Sequence, residues 1–171
     1  PFKLLEETSW PADTVVLARD CRESSPALAD AVAAGLIASG VRVLDLDLAG
    51  TEEMYFATAH LGAGGGIAVT ASHNPMEYNG MKLVGAGAVP LPNEAFARIR
   101  KLSETVTEPD LSPGGAREDQ STVRAAYVEH VADLVGAAGI GPLRLVVNAG
   151  NGAAGPTLDA LAEGLAARGA R

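Results

Sequence analysis

The 171-residue sequence has few aromatic residues and a single cysteine. Aromatic side chains make up 4% of the chain, so its core must be built from Ala, Val and Leu. Because Cys21 is alone, no internal disulfide can form, and a reducing cytoplasmic location is expected. No apolar run approaches the length of a membrane span and no signal segment opens the chain, so we expect no membrane partner.

Acidic residues outnumber basic ones by 21 to 13, which gives a formal net charge of −8. No stretch concentrates Lys and Arg among aromatic residues, so we expect no nucleic-acid partner. An anionic ligand would need a local cluster of donors that acts against the charge of the whole protein. The hydrophobic fraction of 47% is enough for a folded domain with a sizeable core.

Short β-rich runs alternate along the chain with longer helical patterns. Strands are predicted at Val15–Ala18, from Val41 onward, at Ile67–Thr70, at Met81–Val84 and at Leu143–Val147. Helices are predicted from Pro26 to Gly40 with Ser25 as the cap, from Thr51 to about Leu61, from Asn93 to about Ser103, from Ser121 to Val135 and from Thr157 to Ala167. Residues 104–120 are predicted to be a linker. This alternation favours a layered α/β domain with a mostly parallel sheet.

The highest density of polar side chains that can take part in chemistry follows the third predicted strand, in Thr70-Ala71-Ser72-His73-Asn74-Pro75. Sheets of α/β domains place ligands where the chain leaves the carboxyl end of a strand. Downstream, an Asn-Gly turn returns the chain into the strand that carries Lys82. The pattern indicates a candidate nucleophile with a nearby cation, although a capped loop with an ordinary hydrogen-bonded serine has the same pattern.

This stretch and three others resemble, in the same order, the α-D-phosphohexomutase superfamily and its bacterial phosphomannomutase branch. The phosphoserine loop is matched by Thr70–Pro75 and Tyr78–Lys82, and the earlier arginine loop by Arg19–Ser25. The Thr-Glu-Glu form of Gly50–Thr58 is similar to the phosphomannomutases that supply GDP-mannose. Val146–Pro156 resembles the opening of the second domain in the same branch.

The resemblance implies a three-layer α/β/α domain with a mixed, mostly parallel sheet in residues 1–120, and the beginning of a similar second domain in residues 121–171. It implies an isomerase that interconverts mannose 6-phosphate and mannose 1-phosphate through a phosphoserine and a bound hexose bisphosphate. A phosphoglucomutase or a dual-specificity mutase of the same superfamily is an alternative. A non-catalytic module that binds sugar phosphates or a partner is an alternative of another class.

Site residues follow from the resemblance by position. Ser72 is expected to carry the phosphoryl group, Lys82 to do acid/base or charge-stabilising work, and His73 to donate or accept a proton. Arg22 is expected to organise the phosphoserine loop. The resemblance also implies a hexose 1,6-bisphosphate activator and Mg²⁺, which Ser72 would contact through its phosphate. The other metal ligands are expected in an Asp-Gly-Asp-Gly-Asp loop that this chain does not reach, so the chain alone is expected to be inactive.

A second glycine motif, Gly150-Asn151-Gly152-Ala153-Ala154-Gly155, follows a predicted strand and precedes a predicted helix. Dinucleotide-binding turns have this context, but they also need an acidic residue about 20 positions further on, beyond the last residue given. Close packing of small residues, a phosphate contact and a dinucleotide site are all compatible with the motif. Since the mutase resemblance accounts for the segment, no dinucleotide cofactor is expected.

Overall fold

The computed structural model describes residues 13–105, 114–136, 144 and 146–167. In this part of the chain the strands are β1 (Thr14–Arg19), β2 (Arg42–Leu48), β3 (Gly65–Val69), β4 (Met81–Gly85) and β5 (Ala116–Asp119). The α-helices are α1 (Ser25–Ala38), α2 (Thr51–His60), α3 (Asn93–Thr105), α4 (Val123–Leu134) and α5 (Ala154–Ala167). None of these helices is both long enough and apolar enough to cross a membrane.

The strands form one sheet in the order β4-β3-β1-β2-β5. All neighbours are parallel except β4, which runs antiparallel to β3. Helices make the crossovers between β1, β2 and β3, as parallel strands require, whereas residues 70–80 join β3 directly to β4. The carboxyl ends of β1, β2 and β3 therefore lie at one edge of the sheet, beside the beginning of β4.

The alternating side chains of β1 enter two separate hydrophobic clusters. Val15 and Leu17 pack against α1 on one face of the sheet, and Val16 and Ala18 pack against α2 on the other. Helix α4 adds Val123 to the second cluster. Burial on both faces is typical of parallel strands covered by helices. The sheet thus has helices on both sides, which confirms the predicted α/β/α layering and the mixed, mostly parallel sheet.

One strand lies within the residues predicted to be a linker. Strand β5 pairs in parallel with β2, and Arg42 of β2 forms an ion pair with Glu118 of β5 at 2.9 Å. The β5 sequence Ala-Arg-Glu-Asp has no apolar alternation, and most of its side chains are exposed. The linker prediction is therefore wrong for Ala116–Asp119, and residues 106–113 lie outside the described part of the chain.

The helix starts differ slightly from those predicted. Ser24 is the N-cap of α1, and Ser25 is its first helical residue. Instead of capping the helix, the Ser25 hydroxyl donates a hydrogen bond to the Asp20 carboxylate. The predicted cap is wrong because a charged acceptor in the preceding loop takes the hydroxyl. In α2 the N-cap position belongs to Gly50, one residue before Thr51.

The strand predicted at Leu143–Val147 is not formed by its described members. Arg144, Val146 and Val147 have no regular secondary structure, and the Val146 side chain is fully exposed. The other two members lie outside the described residues. A strand is stable only beside a hydrogen-bonded neighbour, and no described strand pairs with this segment.

Strand β3 approaches its neighbours so closely that a Cβ atom at two of its positions would lie under 3.0 Å from a neighbouring atom. A Cβ atom on Gly66 would overlap the Thr58 hydroxyl and the Met54 sulfur of α2. One on Gly65 would lie 2.9 Å from the Val84 carbonyl oxygen. Gly66 therefore allows α2 to lie directly on the strand that leads into residues 70–80, and Gly65 allows the close approach of β4.

Replacing Gly66 by alanine is expected to destabilise the protein by about 1–3 kcal/mol, because the added methyl group overpacks this contact. Gly35 provides a matched control, since a Cβ atom there meets nothing within 4 Å. Gly35→Ala, at an exposed position of helix α1, is expected to stabilise the protein by roughly 0.5–1 kcal/mol. Urea unfolding measures both changes, and a Gly66→Ala variant as stable as the parent would contradict this packing.

Candidate active site

Residues 70–80 form a loop across the carboxyl edge of the sheet. The Thr70 N–H donates to the Gly80 carbonyl oxygen at 2.9 Å, which closes the base of the loop. Ser72 and His73 are exposed near its beginning. The loop thus presents a hydroxyl and an imidazole at the sheet edge where α/β domains bind ligands.

Arg22, which follows β1, holds this loop from inside. Its side chain is 5% exposed, and its two terminal nitrogens donate to four loop carbonyl oxygens at 2.6 to 3.0 Å. These carbonyls belong to Ser72, Asn74, Pro75 and Tyr78. The remaining donor, Nε, bonds to Asp20 Oδ2 at 3.0 Å. All five N–H donors of the guanidinium are therefore used within the protein, in a fork that lysine cannot reproduce.

Asp20 anchors this arginine and was not among the predicted site residues, although it stands in the same arginine motif. Its carboxylate accepts hydrogen bonds from the Arg22 backbone N–H and Nε, and from the hydroxyls of Ser25 and Thr70. It thereby connects the end of β1, the start of α1 and the start of the loop. Burial acts to raise the pKa of the Asp20 carboxyl, but bonds from Ser25, Thr70 and Arg22 outweigh it and lower the pKa below its ordinary value.

Ser72 has a left-handed backbone conformation, with φ of 55°. Few residues other than glycine adopt this conformation, and they do so where surrounding contacts fix them, often at functional sites. The Ser72 N–H donates to Thr70 Oγ1 at 2.9 Å, while the Thr70 hydroxyl donates to Asp20 at 2.7 Å. The Asn74 N–H donates to the Ala71 carbonyl oxygen at 3.1 Å and completes a tight turn. The serine hydroxyl is therefore carried on a fixed backbone.

The four predicted site residues, Arg22, Ser72, His73 and Lys82, line one cleft of about 400 Å³. Ser72 Oγ lies 3.1 Å from His73 Nδ1, and the imidazole tautomer decides which atom donates. Lys82, half-buried on β4, brings a positive charge to the same cleft. Transfer of an anionic group requires a hydroxyl, a group that can exchange a proton and a positive charge, and this cleft contains all three.

Two other segments line the cleft, although neither was assigned to the site from sequence. Gly50–Glu52 lie at the beginning of α2, and Gly152 and Ala153 lie in the turn that precedes α5. The sequence signals were the Thr-Glu-Glu motif and the glycine motif, both placed at predicted helix starts. The glycine motif thus faces the cleft that contains Ser72, at a helix N-terminus.

The described residues do not form a complete magnesium site. No group of three or more His, Cys, Asp or Glu side chains among them could hold a metal ion. Of the two carboxylates that line the cleft, Asp20 already accepts hydrogen bonds from three residues, which leaves Glu52. Mg²⁺ requires a near-octahedral set of oxygen ligands, so we assign no chemical step of these residues to a metal.

Comparison with known proteins gives consistent matches. Residues 2–110 match the family model described as phosphoglucomutase/phosphomannomutase, alpha/beta/alpha domain I. The chain is 50% identical over 161 residues to a phosphomannomutase of Salmonella montevideo, covering 92% of this chain and 35% of that protein. It is 49% identical over 150 residues to a protein of Xanthomonas campestris pv. campestris named phosphohexose mutases, covering 86% of this chain and 33% of that protein.

A crystal structure with a similar fold comes from Burkholderia thailandensis, where it is described as a phosphoglucomutase/phosphomannomutase family protein. It matches with a TM-score of 0.73 and 35% sequence identity, over 95% of this chain and 36% of that chain. The chain spans about a third of the length of the curated relatives it matches.

Protonation of Asp20 is expected to weaken the fold. Because the pKa of Asp20 is lowered on folding, its ionised form adds stability that is complete above the ordinary value of 3.8. That stability is lost as pH falls through the lowered folded pKa. Asp20→Asn should therefore have its largest stability deficit near pH 6, and the deficit should shrink below about pH 4.

Urea unfolding over a pH series measures this change. Asp159→Asn, at an exposed position of α5, is the control for loss of one acidic side chain. An Asp20→Asn deficit that stays constant from pH 6 to the acid limit would show that the Asp20 charge does not stabilise the site.

Proposed function

The chain belongs to the phosphoglucomutase/phosphomannomutase family, and we propose that it forms the phosphoserine-bearing part of a phosphosugar mutase. The proposed reaction interconverts mannose 6-phosphate and mannose 1-phosphate. The observation that supports this proposal most strongly is the position of the Ser72 hydroxyl. It is exposed on a backbone that Thr70 and Arg22 fix, and it lies in one cleft with His73 and Lys82. Mannose is proposed because relatives about half identical to the chain are named phosphomannomutases. The activity is that of a longer protein, of which the chain would supply one part.

The proposed chemistry moves phosphoryl groups between Ser72 and the sugar in two steps. In the first, the P–Oγ bond of phosphoserine 72 breaks and a P–O bond to a free sugar hydroxyl forms, which gives a hexose bisphosphate. The sugar hydroxyl loses its proton and the seryl oxygen gains one. In the second step the other phosphate of the bisphosphate returns to Ser72, so that phosphate and protons balance over the cycle.

His73 and Lys82 are proposed to supply proton transfer and charge in both steps. Serine is a weak nucleophile at neutral pH and needs an adjacent base. The His73 imidazole, 3.1 Å from Ser72 Oγ, is placed for that proton. Lys82 is proposed to neutralise charge on the oxygens of the transferred group, where alignment and electrostatic stabilisation account for most of the rate.

Arg22 is proposed to position the loop and not to bind substrate. Each of its five donors already bonds to Asp20 or to a loop carbonyl oxygen. A sugar phosphate could take one of these donors only if the loop lost a hydrogen bond. Its contribution to turnover would therefore pass through the position of Ser72.

The remaining parts of the proposal come from the resemblance to the family. Residues 121–171 are proposed to begin a second domain. Mg²⁺ would contact the Ser72 phosphate and take its other ligands from sequence outside this chain, and a hexose 1,6-bisphosphate would prime the serine. A cytoplasmic location and the absence of nucleic-acid and membrane partners are proposed with it.

Phosphorylation of Ser72 tests the proposal directly. After incubation with a hexose 1,6-bisphosphate and Mg²⁺, a longer protein that contains this chain should carry one phosphoryl group on the peptide with Ser72. Ser72→Ala should remove that group and lower mutase turnover by roughly a thousandfold or more.

The exposed Ser24 gives a matched control, because Ser24→Ala removes a neighbouring hydroxyl that lies outside the loop and contacts it through the Asn79 amide. This variant should keep the phosphoryl group on Ser72. Peptide mapping by mass spectrometry reads out both variants. A phosphoryl group found instead on Ser24, Ser25 or Thr70 would refute the assignment.

A further inference from the structure

Glu53 is a buried carboxylate for which the proposed reaction has no role. Its side chain is 1% exposed, and it follows directly on the residues of α2 that line the cleft. Burying an ionised carboxylate costs several kcal/mol unless good hydrogen bonds compensate. A buried ion pair is weak evidence that the pair stabilises the fold. We therefore ask which geometry Glu53 fixes.

Two helices from later in the chain supply the partners of Glu53. Arg124 of α4 donates through Nε to Glu53 Oε1 at 3.1 Å, and through a terminal nitrogen to the Leu48 carbonyl oxygen at 2.6 Å. The Thr157 hydroxyl of α5 donates to Glu53 Oε2 at 2.9 Å. One carboxylate thus connects α2, α4 and α5.

Two of these helices begin at the cleft. Gly50–Glu52 line it at the start of α2, and Gly152 and Ala153 line it just before the start of α5. Glu53 and Thr157 are each within about one helical turn of those residues. The hydrogen bond between Glu53 and Thr157 therefore joins two walls of the cleft.

We propose that Glu53 is a positioning residue that holds the Gly152–Ala153 wall against the cleft containing Ser72. Thr157 transmits this restraint to α5, while Arg124 compensates the buried charge and fixes α4. In the longer protein, a cleft of constant width would help to keep water from a phosphoryl group on Ser72. This last consequence rests on the proposed function, whereas the restraint on α5 does not.

A matched pair of variants at Thr157 tests the restraint without removing the buried charge pair. Glu53→Ala would leave the half-buried Arg124 without its carboxylate partner and could prevent folding. Thr157→Val keeps the volume and removes the hydroxyl, and Thr157→Ser keeps a hydroxyl. Glu163→Gln, at an exposed position of α5, controls for an unrelated change in that helix.

Spin labels on native Cys21, which lines the cleft, and on Asn151→Cys, before α5, report the distance of the Gly152–Ala153 wall from the rest of the cleft. The parent, Thr157→Ser and Glu163→Gln should give one narrow distance distribution. Thr157→Val should broaden it, and α5 amides should exchange roughly fivefold faster, the effect of losing one hydrogen bond of about 1 kcal/mol. Distances and exchange equal to those of the parent would overturn the restraint.

The lifetime of phosphoserine 72 tests the consequence for chemistry, in the longer protein that contains the chain. Thr157→Val should shorten that lifetime in water roughly three- to tenfold, and Thr157→Ser should restore it. Equal lifetimes beside a broadened distance distribution would overturn the water-excluding role. Failure to find any phosphoserine in the parent would contradict the proposed function, and the distances alone would then decide whether Glu53 joins the walls.

Discussion

The ion pair between Arg22 and Asp20 is the interaction on which the candidate site depends. Four carbonyl oxygens of the loop at residues 70–80 accept hydrogen bonds from the Arg22 guanidinium. Removing that cation would take a charge-assisted hydrogen bond from each of the four carbonyls, and such bonds contribute about 1.5–3 kcal/mol each. Asp20 keeps the guanidinium in place and, through Thr70, also holds the backbone N–H of Ser72. Asp20 thus fixes Ser72 in two ways, through Arg22 and through Thr70.

This construction explains how the site can be exposed and still ordered. Ser72 and His73 lie at the surface, where loops are usually mobile, but the loop beneath them is closed at its base and filled by Arg22. Contacts of this strength can hold Ser72 in its left-handed conformation, which costs about 1–3 kcal/mol for residues other than glycine. A preorganised hydroxyl needs little rearrangement before transfer, which is the usual arrangement of catalytic groups on a rigid scaffold.

The sequence predicts the elements that a local pattern encodes, but it does not predict contacts between residues that lie far apart along the chain. The buried strand Val15–Ala18 and the helices beside it could be predicted from hydrophobic periodicity, and the motif at Thr70–Pro75 located the serine loop. Strand β5 could not, because its charged residues form a strand only beside the edge of β2. The bonds of Arg22 to the loop span 50 or more residues, and that of Glu53 to Thr157 spans 104, so no local pattern contains them.

In the proposed reaction, Arg22 fixes the position in which Ser72 receives its phosphoryl group. The most direct measurement is the rate of Ser72 phosphorylation by a hexose 1,6-bisphosphate in Arg22→Lys, at a temperature where circular dichroism shows a folded protein. Arg100→Lys is the control, since Arg100 makes an exposed ion pair with Glu104 on α3. We expect phosphorylation roughly a hundredfold slower in Arg22→Lys, as misplacement of a reacting group by about 1 Å predicts, and unchanged in Arg100→Lys. Equal phosphorylation rates in the two variants would contradict this role of Arg22.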